Sequence, residues 1–386
     1  MKKRLIVAAA TTVVAGVAHA QSSVTLYGLI DAGLTYVSNE ASTTSPVTQN
    51  GLTGGKAMFG MTGGNVQQSR WGLLGAEDLG GGLKAVFNLE SGFNVTNGST
   101  VTSALFNRQA LVGLSSDYGT VTLGRQYDSM VDYLAPISAT GSWGGTYFAH
   151  PGDNDNLNST FSISNAVKYQ SADYAGFSMS GLYGFSNQAG FADNRAYSVG
   201  AGYKNAGLQL GAAYLQIQGL NAGNNNGAVQ DLPTFTTANL PGVQNQRTWG
   251  LGANYTFGPA VVGAVFTQTR LQDTIADASV RYNNYEINAR YDFTPALYVG
   301  AAYTYTQGLR NTPASGTTNN LAAHWNQFGL QADYALSKRT DLYAESVFQI
   351  GADNQVGTNM TQINGTEAPS TSKSQAVVSA GIRHRF

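Results

Sequence analysis

Along most of this chain, apolar residues recur at every second position. Tyr285, Ile287, Ala289 and Tyr291 alternate with Glu286, Asn288, Arg290 and Asp292. Leu342, Ala344, Ser346, Phe348 and Ile350 alternate with Asp341, Tyr343, Glu345, Val347 and Gln349, and Phe328, Leu330, Ala332 and Tyr334 with Gln327, Gly329, Gln331 and Asp333. Val24, Leu26, Ile30, Ala32 and Leu34 mark the same face of the first such segment. A period of two predicts strands with one apolar and one polar face. The connections alternate as well. Short turns fall near 77–82, 115–119, 172–176, 204–207, 258–259, 292–295 and 335–340, and long Asn/Gly/Ser/Thr-rich stretches cover 39–66, 94–105, 126–160, 186–195, 218–246, 272–281, 307–323 and 351–374. Seven short and eight long connections separate sixteen strands. Turns at one end and long loops at the other predict an all-β, 16-stranded antiparallel transmembrane β-barrel. A soluble sandwich of this strand count would call for two domains, and no linker or shift of composition divides the chain.

Composition moves the picture in the same direction. Charged residues are 11% of the chain, against roughly 25% in a typical soluble domain. Lys2-Lys3-Arg4, the apolar run Leu5 to Val17 and Ala18-His19-Ala20 read as a signal peptide over residues 1–20, with residues 21–386 forming the barrel domain. Beyond it, no apolar run reaches the length of about eighteen residues a membrane helix needs. Cysteine is absent, so disulfides and thiolate metal sites are excluded. A net charge of −1 gives no footprint for nucleic acid. Aromatic residues gather at strand ends: Tyr36, Trp71, Phe87, Phe177, Trp249, Phe257, Tyr291, Phe293, Trp325 and Phe386 are expected at the two membrane interfaces.

Sixteen strands enclose a water-filled channel, so function depends on what narrows it and which charges face it. The rhythm fails for more than thirty residues after Gly124, and irregular loops of such length are usually functional. Arg70, Arg108, Arg125 and Lys168 occupy inward positions in the strands beside this loop. The loop itself offers Asp128 and Asp132, with Asp153 and Asp155 reading equally well as turn chemistry. Basic groups facing acidic ones across a constriction would create a transverse field that orients solutes and biases ion passage. The three histidines beyond the leader, His150, His324 and His384, sit in no catalytic or metal motif, and no cofactor or reaction is implied.

Several segments resemble the general porins of β-proteobacteria, the neisserial and Burkholderia-type outer-membrane porins. "SSVTLYGLIDAGLTY" is similar to their opening strand, "SRWGLLGAEDLGGGLKAVFNLESGF" to their most specific motif, and "GTVTLGRQYD" to the strand entering the third loop. "YALSKRTDLY" and "AGIRHRF" are similar to the closing segments. The resemblance spans nearly the whole chain. It implies a homotrimer in the outer membrane of a Gram-negative bacterium, each protomer with its own pore, and a third loop folded into the lumen as its constriction. It matches Arg70, Arg108 and Arg125 to an arginine cluster on the wall, Lys168 more loosely, and Phe386 to the aromatic end read by the outer-membrane assembly machinery. The loop lacks the acidic run of some enterobacterial relatives, which makes weak anion preference the expectation for a channel passing small hydrophilic solutes and ions. A channel selective for a sugar, organic anion or amino acid, or a barrel whose loops serve as an adhesin, are the alternatives.

Overall fold

Each alternating segment becomes a strand paired antiparallel with its chain neighbour. The computed structural model describes residues 23–42, 54–189, 191, 193–220, 226–230, 243–273, 278–314, 317–352 and 361–386. The leader, and parts of the long loops at 39–66, 186–195, 218–246, 272–281, 307–323 and 351–374, lie outside them. The wall begins with β1 (Ser23–Glu40), β2 (Lys56–Gly63), β3 (Arg70–Gly80), β4 (Leu83–Gly92), β5 (Gln109–Ser116) and β6 (Gly119–Gln126). It continues with β7 (Ile163–Ser171), β8 (Phe177–Gly184), β9 (Arg195–Asn205), β10 (Leu208–Gln218), β11 (Val243–Phe257) and β12 (Ala260–Asp273). The last members are β13 (Ala278–Asp292), β14 (Leu297–Ala314), β15 (Thr317–Ala335), β16 (Thr340–Ala352) and β17 (Ser374–Arg385).

Seventeen segments make sixteen staves, because β2 and β3 pair with successive halves of β1. Strand β17 closes the ring on β1, with Leu29 opposite Arg385 and Val37 opposite Val377. The seam is finished by Phe386, which exchanges two backbone hydrogen bonds with Gly28 at 3.0 and 3.1 Å. Its ring lies where a β-carbon on Gly28 would have to sit. Closure leaves no free edge in lipid, where an unpaired backbone group finds no water.

The middle of the outer face is apolar: Ile287, Leu330 and Leu251 are 61%, 59% and 54% exposed. A contiguous apolar surface of this kind marks contact with lipid. All seven predicted short turns are present at their predicted places. Three predicted loops are shorter than expected. Residues 56–63 form β2, whose outward Phe59 and Met61 continue the apolar face. Strands β14 and β15 run to Ala314 and from Thr317, and β12 and β13 run to Asp273 and from Ala278. In each case backbone pairing with a neighbouring stave overrides a polar, Gly-rich composition. Trp325 is also not at an interface. It points inward, is 2% exposed and packs 6.2 Å from the Tyr282 ring.

Between β6 and β7 the chain turns inside the barrel and stays there. The segment carries α1 (Ser129–Tyr133) and several single turns of tighter or wider helix. Its bulky side chains rest on glycines of the inner wall. A β-carbon at Gly300 would lie 2.4 Å from Trp143, one at Gly329 2.3 Å from Phe148, and one at Gly200 2.6 Å from Tyr133. Trp143 and Phe148 meet edge to face at 5.1 Å, an arrangement worth about 1 kcal/mol beyond burial. Fixing this loop therefore needs residues with no side chain on the wall, at positions that would otherwise be polar. Gly329→Leu is expected to evict Phe148 and free the loop, raising open-channel current noise and mean conductance in planar bilayers; a quiet, wild-type trace would show that the glycine cradle does not hold the loop.

Candidate functional site

A cavity inside the barrel is bounded by one curved stretch of wall and the loop opposite it. Arg70 opens β3 and Arg108 precedes β5, and register places Arg70 beside Gly92 at the loop end of β4. Both guanidinium groups converge on Glu90: Arg108 Nε lies 2.7 Å from one carboxylate oxygen and Arg70 Nε 3.4 Å from the other. Tyr27 donates its hydroxyl to the same carboxylate at 3.0 Å. Arg108 also donates to Gln68 and lies 5.5 Å over the Tyr127 ring, a cation–π contact that holds the charge in place. Two cations share one anion here, so the patch keeps a positive excess. It lines a cavity of about 480 Å³, with Val131, Ala135, Pro136, Thr140 and Leu157 of the loop opposite.

The predicted acids do not face this patch. Asp128 is fully buried as the N-cap of α1, accepting from the Met130 N–H at 2.7 Å and from Asn156 Nδ2 at 2.7 Å. A helix start leaves backbone N–H groups without partners, and a capping carboxylate is drawn to them rather than to a distant cation. Burial raises its pKa to about 6 despite those hydrogen bonds. Asp132 turns to the neighbouring wall. Lys168 Nζ lies 2.6 Å from it and Ser180 donates to it at 3.1 Å. Burial pushes its pKa up, with Lys168 pulling the other way. Lys168 also donates to the Tyr127 carbonyl at 2.9 Å, so it belongs to the loop's root and not to the arginine patch. Arg125 is placed apart as well, donating to the Asn107 carbonyl and to Ser164 Oγ, both at 2.8 Å. Asp153 is buried in its own turn, accepting from the Asn158 N–H at 2.9 Å and the Thr160 hydroxyl at 2.6 Å. Among the described residues the one carboxylate lining the cavity is Glu367, in the loop ahead of β17.

Sequence reasoning missed three groups. Glu90 organises the patch, and its inward position in the alternation of β4 was the available signal. The break between β2 and β3 was another: Val66 and Gln67 donate their N–H groups to Asp31 at 2.9 and 2.7 Å, and Asn65 accepts from the Thr146 N–H and the Tyr147 hydroxyl. The third is the far anchor of the loop. His150 Nδ1 lies 2.6 Å from Asp155 and its Nε2 3.2 Å from Glu286 on β13. Glu286 also accepts from the Ala139 N–H at 2.8 Å. Gln331 donates to the Trp143 carbonyl at 2.7 Å, adding a neutral tie from β15. Burial alone would lower the pKa of His150, but the charge of Asp155, supported by Glu286, outweighs it and lifts the imidazole to about 10. Burial would raise Asp155, and the His150 charge holds it below the usual carboxylate range instead.

A raised histidine contributes stability that is complete below its ordinary pKa of 6.5 and is lost as pH rises through the folded value. The loop anchor should therefore weaken between pH 6.5 and about 10. Open-channel noise is expected to grow over that window in the wild type and to be pH-independent in His150→Gln; a wild type whose noise is flat from pH 7 to 10 would contradict the charged anchor.

Comparison with known proteins places the whole chain. A profile described as Gram-negative porin matches residues 6–354. An outer membrane porin protein of Bordetella pertussis is 33% identical over all of both chains, and outer membrane porin protein 32 of Delftia acidovorans is 30% identical over the same extent. Among solved structures, an anion-selective porin from Comamonas acidovorans superposes with a TM-score of 0.73 at 26% identity, covering 95% of this chain and 100% of its own.

Proposed function

This chain belongs to the Gram-negative porin family, and from that premise we propose that its constriction gives an outer-membrane general diffusion channel a weak preference for anions. The observation that carries the preference is the arrangement around Glu90: Arg70 and Arg108 divide one carboxylate between them while the loop opposite presents apolar, hydroxyl and amide groups. In a narrow, low-dielectric mouth an unopposed guanidinium raises the local concentration of anions and repels cations. The excess of the patch is about one charge and Glu367 also lines the cavity, so the bias is small. The similar porin from Comamonas acidovorans bears the description anion-selective, which agrees with this reading. No step of the account makes or breaks a bond; solutes cross by diffusion down their gradients.

The remaining parts of the reading rest on the family resemblance. The channel works as a homotrimer, residues 1–20 are a leader removed before Gln21, and Phe386 is presented to the assembly machinery before it seals the seam. Arg125 and Lys168 act at the root of the loop, where they keep the entry to the constriction in shape.

Planar-bilayer recording in a potassium chloride gradient tests the proposal. The wild type should show a reversal potential on the anion-selective side and three equal conductance steps per insertion. Arg70→Gln with Arg108→Gln should move the potential to neutral or cation-selective. An unchanged potential in that double variant would show that the patch does not set selectivity, and single steps would contradict the trimer.

A further inference from the structure

On the outer wall, the strands farthest along the ring from β3–β5 carry a feature the channel does not use. Backbone register sets Arg247 directly opposite Arg270, and Arg270 directly opposite Arg281, in one row across β11, β12 and β13. All three side chains are exposed and occupy outward positions, between buried inward neighbours. Adjacent strands lie about 4.8 Å apart, so the row packs three like charges into about 10 Å. Like charges directly opposite one another destabilise a sheet. The remaining outward positions of these three strands carry no charge, and among the described residues no carboxylate lines the groove of about 590 Å³ over the row.

The height of the row on the wall is as informative as its charge. Four residues toward the short-turn end, the Phe266 and Tyr285 rings meet at a tilt with centroids 5.0 Å apart, and Tyr285 continues to Tyr305 at 6.2 Å. This is an aromatic girdle of the kind that marks the edge of the hydrocarbon. Between girdle and arginines runs a belt of amides, in which Trp249 Nε1 donates to Gln268, Gln268 to Asn283 at 2.8 Å and Asn283 to Gln307 at 3.1 Å. Four residues of strand rise about 13 Å, or about 10 Å along the membrane normal at barrel tilt. The arginines therefore sit at the level of headgroup phosphates on the long-loop side, with the acyl chains beneath them meeting the aromatic and aliphatic wall.

We propose that Arg247, Arg270 and Arg281 form a docking site for a phosphorylated lipid headgroup in the leaflet on the long-loop side, which the outer-membrane location makes the external one. Guanidinium forks bind phosphate oxygens in pairs, and Gln268 and Ser279, both lining the groove, supply further polar contacts for a sugar-borne headgroup. A bound phosphate would cancel the repulsion within the row, so lipid and barrel stabilise each other there.

The test uses the full assembled protein in nanodiscs of phosphatidylethanolamine, with lipid A bearing two phosphates as probe and dephosphorylated lipid A as control, retention being read by native mass spectrometry. The wild type should retain the phosphorylated probe at least about tenfold better, since each basic residue at a membrane surface contributes about 1 kcal/mol. Arg247→Gln/Arg270→Gln/Arg281→Gln should lose that preference while conducting like the wild type. Equal retention of both lipids by the wild type would overturn the proposal, and this comparison does not depend on how the variant folds. So would a conducting triple variant that keeps the preference. Inorganic phosphate at matched concentration should fail to displace the lipid; complete displacement would mean a free-anion site and would overturn the assignment to a headgroup.

Discussion

A sixteen-stave barrel cannot fill its own interior, and everything particular about this pore follows from how one loop is pinned across that space. The outer wall is committed to lipid and the backbone to closing the ring. Only the inward positions remain to hold a loop. They do so in two ways. Wall glycines at 200, 300 and 329 give up their side chains so that Tyr133, Trp143 and Phe148 can lie directly on the sheet. Inward Glu286 and Gln331 tie the loop's backbone at Ala139 and Trp143, and the Asn65 carbonyl, in the break between β2 and β3, ties it at Thr146. The loop thus lies against the inner wall as a packed body.

The same packing decides the electrostatics. A carboxylate on a packed loop meets backbone N–H groups, hydroxyls and nearby cations before it meets water, and each loop acid has been taken by such a local partner. Asp128 caps a helix, Asp153 closes a turn, Asp155 holds His150, and Asp132 holds Lys168. What lines the cavity instead is Arg70 and Arg108, which share Glu90, with Glu367 from the loop ahead of β17. In the proposed reading, selectivity is a matter of where the acids turn and not of how many the loop contains. On the outside, the arginine row across β11–β13 meets the opposite environment, a surface whose counter-charges must come from the membrane itself.

Much of the architecture was legible because a barrel strand writes its environment at a period of two, with lipid on one side and water on the other. Tyr285 to Asp292 and Asp341 to Ile350 declare both faces without any tertiary information, and the Gly- and Pro-bearing turns at 258–259 and 292–295 end their strands where composition says they should. The resemblance to the general porins supplied the family and the infolded loop. Legibility failed where a residue answers to a neighbour distant in sequence. The strand at 56–63 is held by β1 across a gap its composition fills with loop residues. Trp325 has the chemistry of an interfacial anchor and the parity of a lumen residue, and parity wins because a strand cannot rotate one side chain to the other face. Asp128 and Asp132 carry no mark in the sequence of which partner, arginine wall or local donor, will reach them first.

The central claim, that the direction of the loop's carboxylates governs ion preference, is met most directly by placing one where the native loop has none. Val131 lines the cavity between Asp128 and Asp132. Reversal potentials of Val131→Asp and of the wild type, recorded in the same salt gradient, should differ strongly, with the added acid abolishing or inverting the anion preference even though the loop already holds four aspartates close by. A Val131→Asp channel as anion-preferring as the wild type would contradict the account.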